Sequence, residues 1–190
     1  MTMEKSKTAE TVSGGIARKE GFADGLEAHG VFTFTCFDSQ GNEKWVDIAP
    51  NLVVNTGLQD MNNKYFTGTT YTAAWYIGLV NGSSSTTAFS GGDTLAAHPG
   101  WDENQDYVGN RKAVTFSAAT LSNISNINNA SSTASFTMNA SANIAGAFLA
   151  NVASTTSGLL FSAADFQSPG DRSVVNGDVL NVTYSFNLSS

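Results

Sequence analysis

The densest group of side chains that could do chemistry lies in the stretch HPGWDENQDY, which spans residues 98–107. It holds one imidazole and three carboxylates, on His98, Asp102, Glu103 and Asp106. Carboxylate oxygens bind hard metal ions, and carboxylates and imidazoles also act as general acids and bases. All four residues fall in one expected loop without a second histidine nearby, so a solvated loop is a simpler interpretation than a metal or catalytic site.

Charged side chains are sparse along most of the chain. Between positions 113 and 170 the only one is Asp165, and between positions 65 and 101 the only one is Asp93. Acid–base catalysis requires titratable groups, and glycoside hydrolysis requires two facing carboxylates. The sequence therefore predicts a protein that is not an enzyme and holds no cofactor or metal. A glycan hydrolase remains an alternative only if the carboxylates of the acidic loop at residues 93–106 form its site.

Charge and hydropathy narrow the class of partner. Sixteen acidic and nine basic residues give a formal charge of −7, which would repel a phosphate backbone, so no nucleic-acid partner is expected. The first residues contain no apolar signal-peptide region, and no stretch approaches the length of a membrane span. We expect synthesis in a cytoplasm and no membrane contact. The single cysteine, Cys36, lies in an alternating strand pattern and is expected to be buried.

The elements around these residues read as β structure. VFTFTCF alternates with period two, DSQGN supplies a turn and EKWVDI returns, so residues 31–48 predict a hairpin. Pro50 is expected to end that ladder because it lacks an N–H group. In NLVVN, Asn51 and Asn55 flank an apolar run, and their side chains are expected to hydrogen-bond local backbone.

One short helix interrupts the strands. Leu58, Met61 and Tyr65 recur at helical spacing, which predicts a helix over residues 56–65 with Asn55 or Thr56 as its cap. Further strands are predicted in AAWYIGLV, RKAVTFSAATL, TASFTMNA, ANIAGAFLANV, SGLLFSAADF and GDVLNVTYSFNL.

Eight or nine such strands predict an all-β fold, an antiparallel β-sandwich of jelly-roll type with one short helix. Residues 1–28 mix both charge signs and are expected to form an extended N-terminal arm. Residues 29–190 are expected to form the β-sandwich domain.

The tryptophans raise the possibility of sugar binding, because exposed rings stack on sugars. Trp45 and Trp75 lie in strand patterns, so packing in a core or an interface is the expected role. Trp101 lies in the polar loop and is the tryptophan that we expect to contact a partner. If the chain were a carbohydrate-binding module, Trp101 would be the residue that stacks on the sugar.

The order of motifs resembles a family of small virion structural proteins of tailed bacteriophages. The motifs are FDSQGNEKWVDIAPNLVVNTGLQDM, YTAAWYIGLVNGSSSTTAFSGGDTLAAHPGW, YVGNRKAVTFSAAT, IAGAFLANV and VVNGDVLNVTYSFNL, which together run from Phe37 to Leu188. The resemblance implies a virion protein with a β-sandwich and no catalytic residues. Residues 1–28 fall outside it.

Within that family, the expected function is capsid decoration. A decoration, or cement, protein binds the major capsid protein on the outer surface of the head and stabilises it by bridging subunits. We expect a homo-oligomer, with a trimer matching local threefold symmetry. A tail or fibre component is the alternative.

The N-terminal arm is the expected contact with a neighbouring subunit. Its apolar residues Ile16, Phe22 and Leu26 are the expected anchors, and Arg18 and Lys19 are expected to pair with acidic surface on the shell.

Overall fold

A computed structural model of the chain describes residues 26–71, 73–83, 88–122, 124–167 and 170–189. These residues form an antiparallel all-β fold with one α-helix, α1 (Asn55–Phe66), and a 3-10 turn at Ala130–Ser132. The strands are β1 (Glu27–Phe37), β2 (Glu43–Val53), β3 (Trp75–Asn81), β4 (Glu103–Asn104), β5 (Lys112–Val114), β6 (Ile124–Asn128), β7 (Ala134–Thr137), β8 (Ala142–Ala150), β9 (Leu160–Asp165), β10 (Arg172–Val174) and β11 (Val179–Ser189).

The predicted hairpin is confirmed, and β2 continues beyond it. The β1–β2 ladder ends at the pair Val31–Pro50, as the missing N–H of Pro50 predicts. The strand itself does not stop there, because β2 runs on to Val53 and pairs with β9 from Asn51 onward. Pro50 therefore lies where β2 leaves β1 and begins to pair with β9.

This exchange joins two groups of strands into one curled sheet. Its order is β4-β3-β8-β9-β2-β1-β11-β6, with β5 beside β3, β7 beside β11 and β10 beside β8. The two edges approach each other, since Tyr107 forms an isolated bridge with Met138 and the Ser117 N–H donates to the carbonyl of Asn128. The sheet thus encloses its core on most sides.

The inner face of the curled sheet holds the main core. Phe32, Phe34, Phe136 and Tyr184 are almost fully buried there, and the Phe34 and Phe166 rings meet edge to face at 4.5 Å. Aromatic pairs of this geometry add to the hydrophobic stabilisation. The alternation of β1 and β11 thus places every second side chain inside.

A second core covers the outer face of the β3-β8-β9 group. Leu95 and Trp101, from the segment before β4, pack there against Val80 and Phe148. Residues 144–150 of β8 are consequently buried on both faces, which suits a strand built largely from Ala, Gly, Leu and Phe.

Helix α1 confirms the predicted helix to within one residue at each end. Its predicted caps are wrong: Val54 is the N-cap and offers no side-chain hydrogen bond, while the Thr56 hydroxyl donates to the carbonyl of Leu160. At the start of the helix, the Val54 N–H donates instead to the carbonyl of Phe161 and the Asn55 N–H to the carbonyl of Gly91. Gly57 is the one buried residue of the helix, and a Cβ there would lie 2.5 Å from the carbonyl oxygen of Phe161.

Several boundaries differ from the sequence prediction. Among the described residues, β4, β6 and β10 were not predicted, because strands of two to five residues are too short to show a clear alternation. β5 is much shorter than the predicted strand at residues 111–121. β1 begins at Glu27, so the last two residues assigned to the arm belong to the sheet.

We predict that Gly57→Ala destabilises the protein even though alanine is the better helix former. At an exposed helix position this change would stabilise by about 1 kcal/mol. Here the new methyl group would meet the backbone of Phe161, so we expect a loss of about 1–3 kcal/mol in the free energy of unfolding. Urea denaturation measures it, with the exposed substitution Asn62→Ala as the control. Equal or greater stability of Gly57→Ala would show that α1 is not held against β9 in this way.

Candidate functional site

The acidic loop does not converge into a site. The Nδ1 atom of His98 lies 2.7 Å from the carbonyl oxygen of Trp101, and its ring stacks on the indole at 3.9 Å. Glu103 binds Arg111, Asp106 accepts a hydrogen bond from the Asn104 side chain, and Asp102 is exposed. Three of these four side chains therefore serve separate local contacts, and the fourth, Asp102, is exposed.

Trp101 is a core residue rather than a surface contact. It is 3% exposed, and its indole N–H donates at 3.0 Å to the carboxylate of Asp93, which is 5% exposed. The backbone N–H of Ser90 donates to the same carboxylate oxygen at 3.0 Å. The expectation that Trp101 offers a ring for contact does not fit this burial, because the segment folds over β8 and hides the indole against Phe148.

Arg111 and Glu103 form a buried ion pair beside this second core. Arg111 Nε and Nη2 donate to the two carboxylate oxygens at 2.8 and 2.7 Å. Nη1 donates to the carbonyls of Val152 and Thr155, and the guanidinium lies 5.1 Å from the centre of the Phe148 ring. This two-point geometry fixes the loop after β8 to the strand β4. Both charges are thereby used in holding the fold.

One end of the curled sheet is closed by polar contacts. The buried carboxylate of Asp178 accepts hydrogen bonds from Lys44 Nζ at 2.5 Å and from the Val175 N–H at 2.9 Å. The Cys36 thiol lies beneath it, and burial, reinforced by the Asp178 carboxylate and opposed by Lys44, raises the pKa of that thiol to about 11. A thiol in this state is a packing group and a poor nucleophile at neutral pH.

The opposite end is open and apolar. Here a cavity of about 230 Å³ lies between α1 and the inner face of the sheet. We call it the mouth and define it by six side chains: Met61, Tyr71, Trp75, Phe116, Phe161 and Phe186. A neighbouring depression of about 310 Å³ shares Tyr71, Trp75 and Phe116 with it.

The rings of the mouth support one another. Trp75 meets Phe161 at 5.5 Å, and Phe161 meets Phe186 at 5.4 Å, both edge to face. The indole N–H of Trp75 donates to the Tyr71 hydroxyl at 2.8 Å, and Lys64 Nζ lies 5.2 Å from the centre of the Tyr71 ring. The mouth is therefore a preformed aromatic depression with one cation at its rim.

Exposed aromatic surface extends from the mouth along α1. Tyr65 follows Met61 by one helical turn, and Tyr65 and Phe66 are 83% and 77% exposed. Their rings contact each other edge to face at 4.9 Å. Two adjacent exposed rings beside an apolar depression mark a surface suited to contact with another molecule.

Sequence reasoning missed the mouth. Its six residues come from α1, the segment before β3, and strands or loops as distant as β11, so no local spacing links them. Of the predicted arm contacts, Leu26 is 71% exposed. The others lie outside the described residues: Ile16, Arg18, Lys19 and Phe22.

Within the described part of the chain, no cluster of three or more His, Cys, Asp or Glu side chains could hold a metal ion. The described helices include none that is long and apolar enough to cross a membrane.

Burial raises the pKa of the Asp165 carboxyl, with Asp171 adding to the shift, and this carboxyl lies at the end of β9.

Comparison of the chain with protein-family models, with curated proteins and with solved structures finds no match. The functional argument therefore rests on the residues and their geometry.

We predict that Arg111→Met destabilises the protein strongly. The change would leave Glu103 as an uncompensated, largely buried carboxylate, and two carbonyls would lose their donor. Breaking one partner of such a pair costs about 3–5 kcal/mol. Chemical denaturation measures the loss. The matched control is Lys64→Met, which removes a partly exposed pair with Asp60 and should change stability by less than about 0.5 kcal/mol. Similar values for the two variants would contradict a structural role for the Arg111 pair.

Proposed function

We propose that the protein is a structural component of a bacteriophage virion, and specifically a capsid decoration protein. In this role it binds the major capsid protein on the outer surface of the head and bridges neighbouring subunits. It is made in the cytoplasm of the host bacterium. The order of motifs between Phe37 and Leu188 supports the family, and the all-β fold is compatible with it.

The observation that carries the proposal is the distribution of charged and aromatic groups. The buried charges of Asp93, Arg111 and Asp178 are held in structural contacts, whereas the exposed rings of α1 adjoin the mouth at one end. A rigid body with an aromatic patch at one end is suited to docking on a lattice, because few side chains lose freedom on binding.

The finer architecture belongs to the same proposal. In this proposal the β2-β1-β11-β6 group and the β9-β8-β3-β4 group of the curled sheet are the two layers of a jelly-roll sandwich, and the main core, which takes residues from both groups, supports it. A homotrimer presents three copies of a docking surface. Several modest contacts on one rigid particle then act at high effective concentration.

A tail or fibre component is the alternative within the virion. A carbohydrate-binding module is less well supported, since the indole of Trp101 is buried and the polar loop thereby loses its stacking ring. The number of copies per virion distinguishes a head protein from a tail or fibre protein.

We predict a high copy number in purified virions. Quantitative mass spectrometry should find the protein in a simple fractional ratio to the major capsid protein, because a decoration protein occupies repeated lattice sites. A few copies per particle would move it to the tail or fibre. Its absence from virions would overturn the proposal.

We also predict that the double substitution Tyr65→Ser and Phe66→Ser weakens binding to heads assembled without the protein. Exposed aromatic anchors commonly contribute about 1 kcal/mol or more each, so affinity should fall about tenfold or more. Co-sedimentation measures it, and thermal unfolding should be nearly unchanged because both rings are exposed. The matched control replaces the exposed apolar pair Val46 and Ile48 of β2 by serine. Equal affinity of the two double variants would exclude the α1 patch as the contact.

A further inference from the structure

The mouth is large enough to hold an aromatic side chain. An apolar protein cavity of roughly 150 Å³ takes up benzene, and the mouth measures about 230 Å³. Its walls are the rings of Trp75, Phe116, Phe161 and Phe186, which gain free energy when water is replaced by apolar atoms. An apolar segment that lies nearby is therefore a suitable occupant.

The N-terminal chain enters the sheet at this same end. Gly30 of β1 pairs with Phe186 of β11, and Phe186 pairs on its other side with Ile127 of β6. Phe186 is a wall of the mouth, and Ile127 lines it too. β1 begins three residues before Gly30, at Glu27, which pairs with Ser189 at this end of the sheet, and Leu26, the first described residue, is 71% exposed.

The upstream sequence carries a suitable side chain at suitable reach. Phe22 is the only aromatic residue before β1. It precedes Glu27, the first residue of β1, by five residues, which span at most about 17 Å when extended. Glu20 and Asp24 flank it, and their charge is opposite to that of Lys64, the cation at the rim.

We propose that residues 16–26 fold back onto the mouth of their own chain and place the Phe22 ring in it. The covalent connection to β1 at Glu27 gives the segment a high effective concentration at its own mouth, so weak contacts suffice to hold it. This intramolecular docking is independent of the virion role. It leaves the exposed Tyr65–Phe66 patch free for a partner.

The test attaches a nitroxide spin label to Glu20→Cys in full-length, ¹⁵N-labelled protein. The introduced thiol reacts selectively, because Cys36 is buried and the pKa of its thiol is raised to about 11. We expect the amide signals of Phe116 and Ile127 to lose most of their intensity relative to the sample with reduced label. Signals of Ser39 and Gly177, at the polar end, should keep theirs.

Two substitutions and one mixed sample complete the experiment. Phe22→Asp should raise the intensity of the Phe116 and Ile127 signals to the level that a tethered but undocked label leaves, whereas Val12→Asp, outside the proposed segment, should leave them as broadened as in the unsubstituted protein. In a mixture of ¹⁵N protein without label and spin-labelled protein without ¹⁵N, no broadening is expected. Absence of broadening in the first sample, or equal broadening in Phe22→Asp and in Val12→Asp, overturns the proposal. Broadening in the mixture overturns it in favour of exchange between copies.

Discussion

The buried hydroxyl of Tyr184 joins the strands on which the curled sheet depends. Tyr184 lies on β11, and its hydroxyl accepts a hydrogen bond from Asn51 of β2 at 2.8 Å and lies 3.4 Å from the Ser162 hydroxyl of β9. A Cβ on Gly30 of β1 would collide with this hydroxyl, so glycine is required there. Burial raises the pKa of Tyr184, which keeps the phenol neutral. A buried hydroxyl without partners would cost about 1–3 kcal/mol, and these contacts hold β2 where it leaves β1 for β9.

The exchange of partners along β2 gives the two ends of the sheet different chemistry. At the start of β2, Lys44 and Asp178 close the core with an ion pair and a hydrogen-bonded turn. Where β2 ends, the chain enters α1, and the rings of Trp75 and Phe161 line the mouth beside it. Of the two ends formed by the described residues, the mouth is therefore the one with an aromatic depression that another segment or molecule could cover. The domain therefore has one polar end and one apolar end, a difference that the proposed docking on a capsid lattice would use.

The segment between β3 and β5 shows how a polar sequence becomes part of a core. It contains the acidic cluster, yet Asp93 binds the Trp101 indole and Glu103 binds Arg111. Each pair neutralises or satisfies a buried polar group, as burial requires. The hydrophobic residues of the segment can then pack over Phe148. Carboxylates concentrated in one stretch of sequence are thus dispersed in space.

Local patterns alone determined the all-β class, the β1–β2 hairpin and the position of α1, because period-two and helical spacings are properties of neighbouring residues. The burial of Cys36 followed from the same alternation. Tertiary structure alone decided which distant residues meet. Asn51 was expected to bond local backbone and instead donates to Tyr184, 133 positions away, while Trp101 was expected at the surface and is covered by its own loop. The mouth likewise unites rings from segments scattered along the chain, and contacts at such separations leave no periodic trace in the sequence.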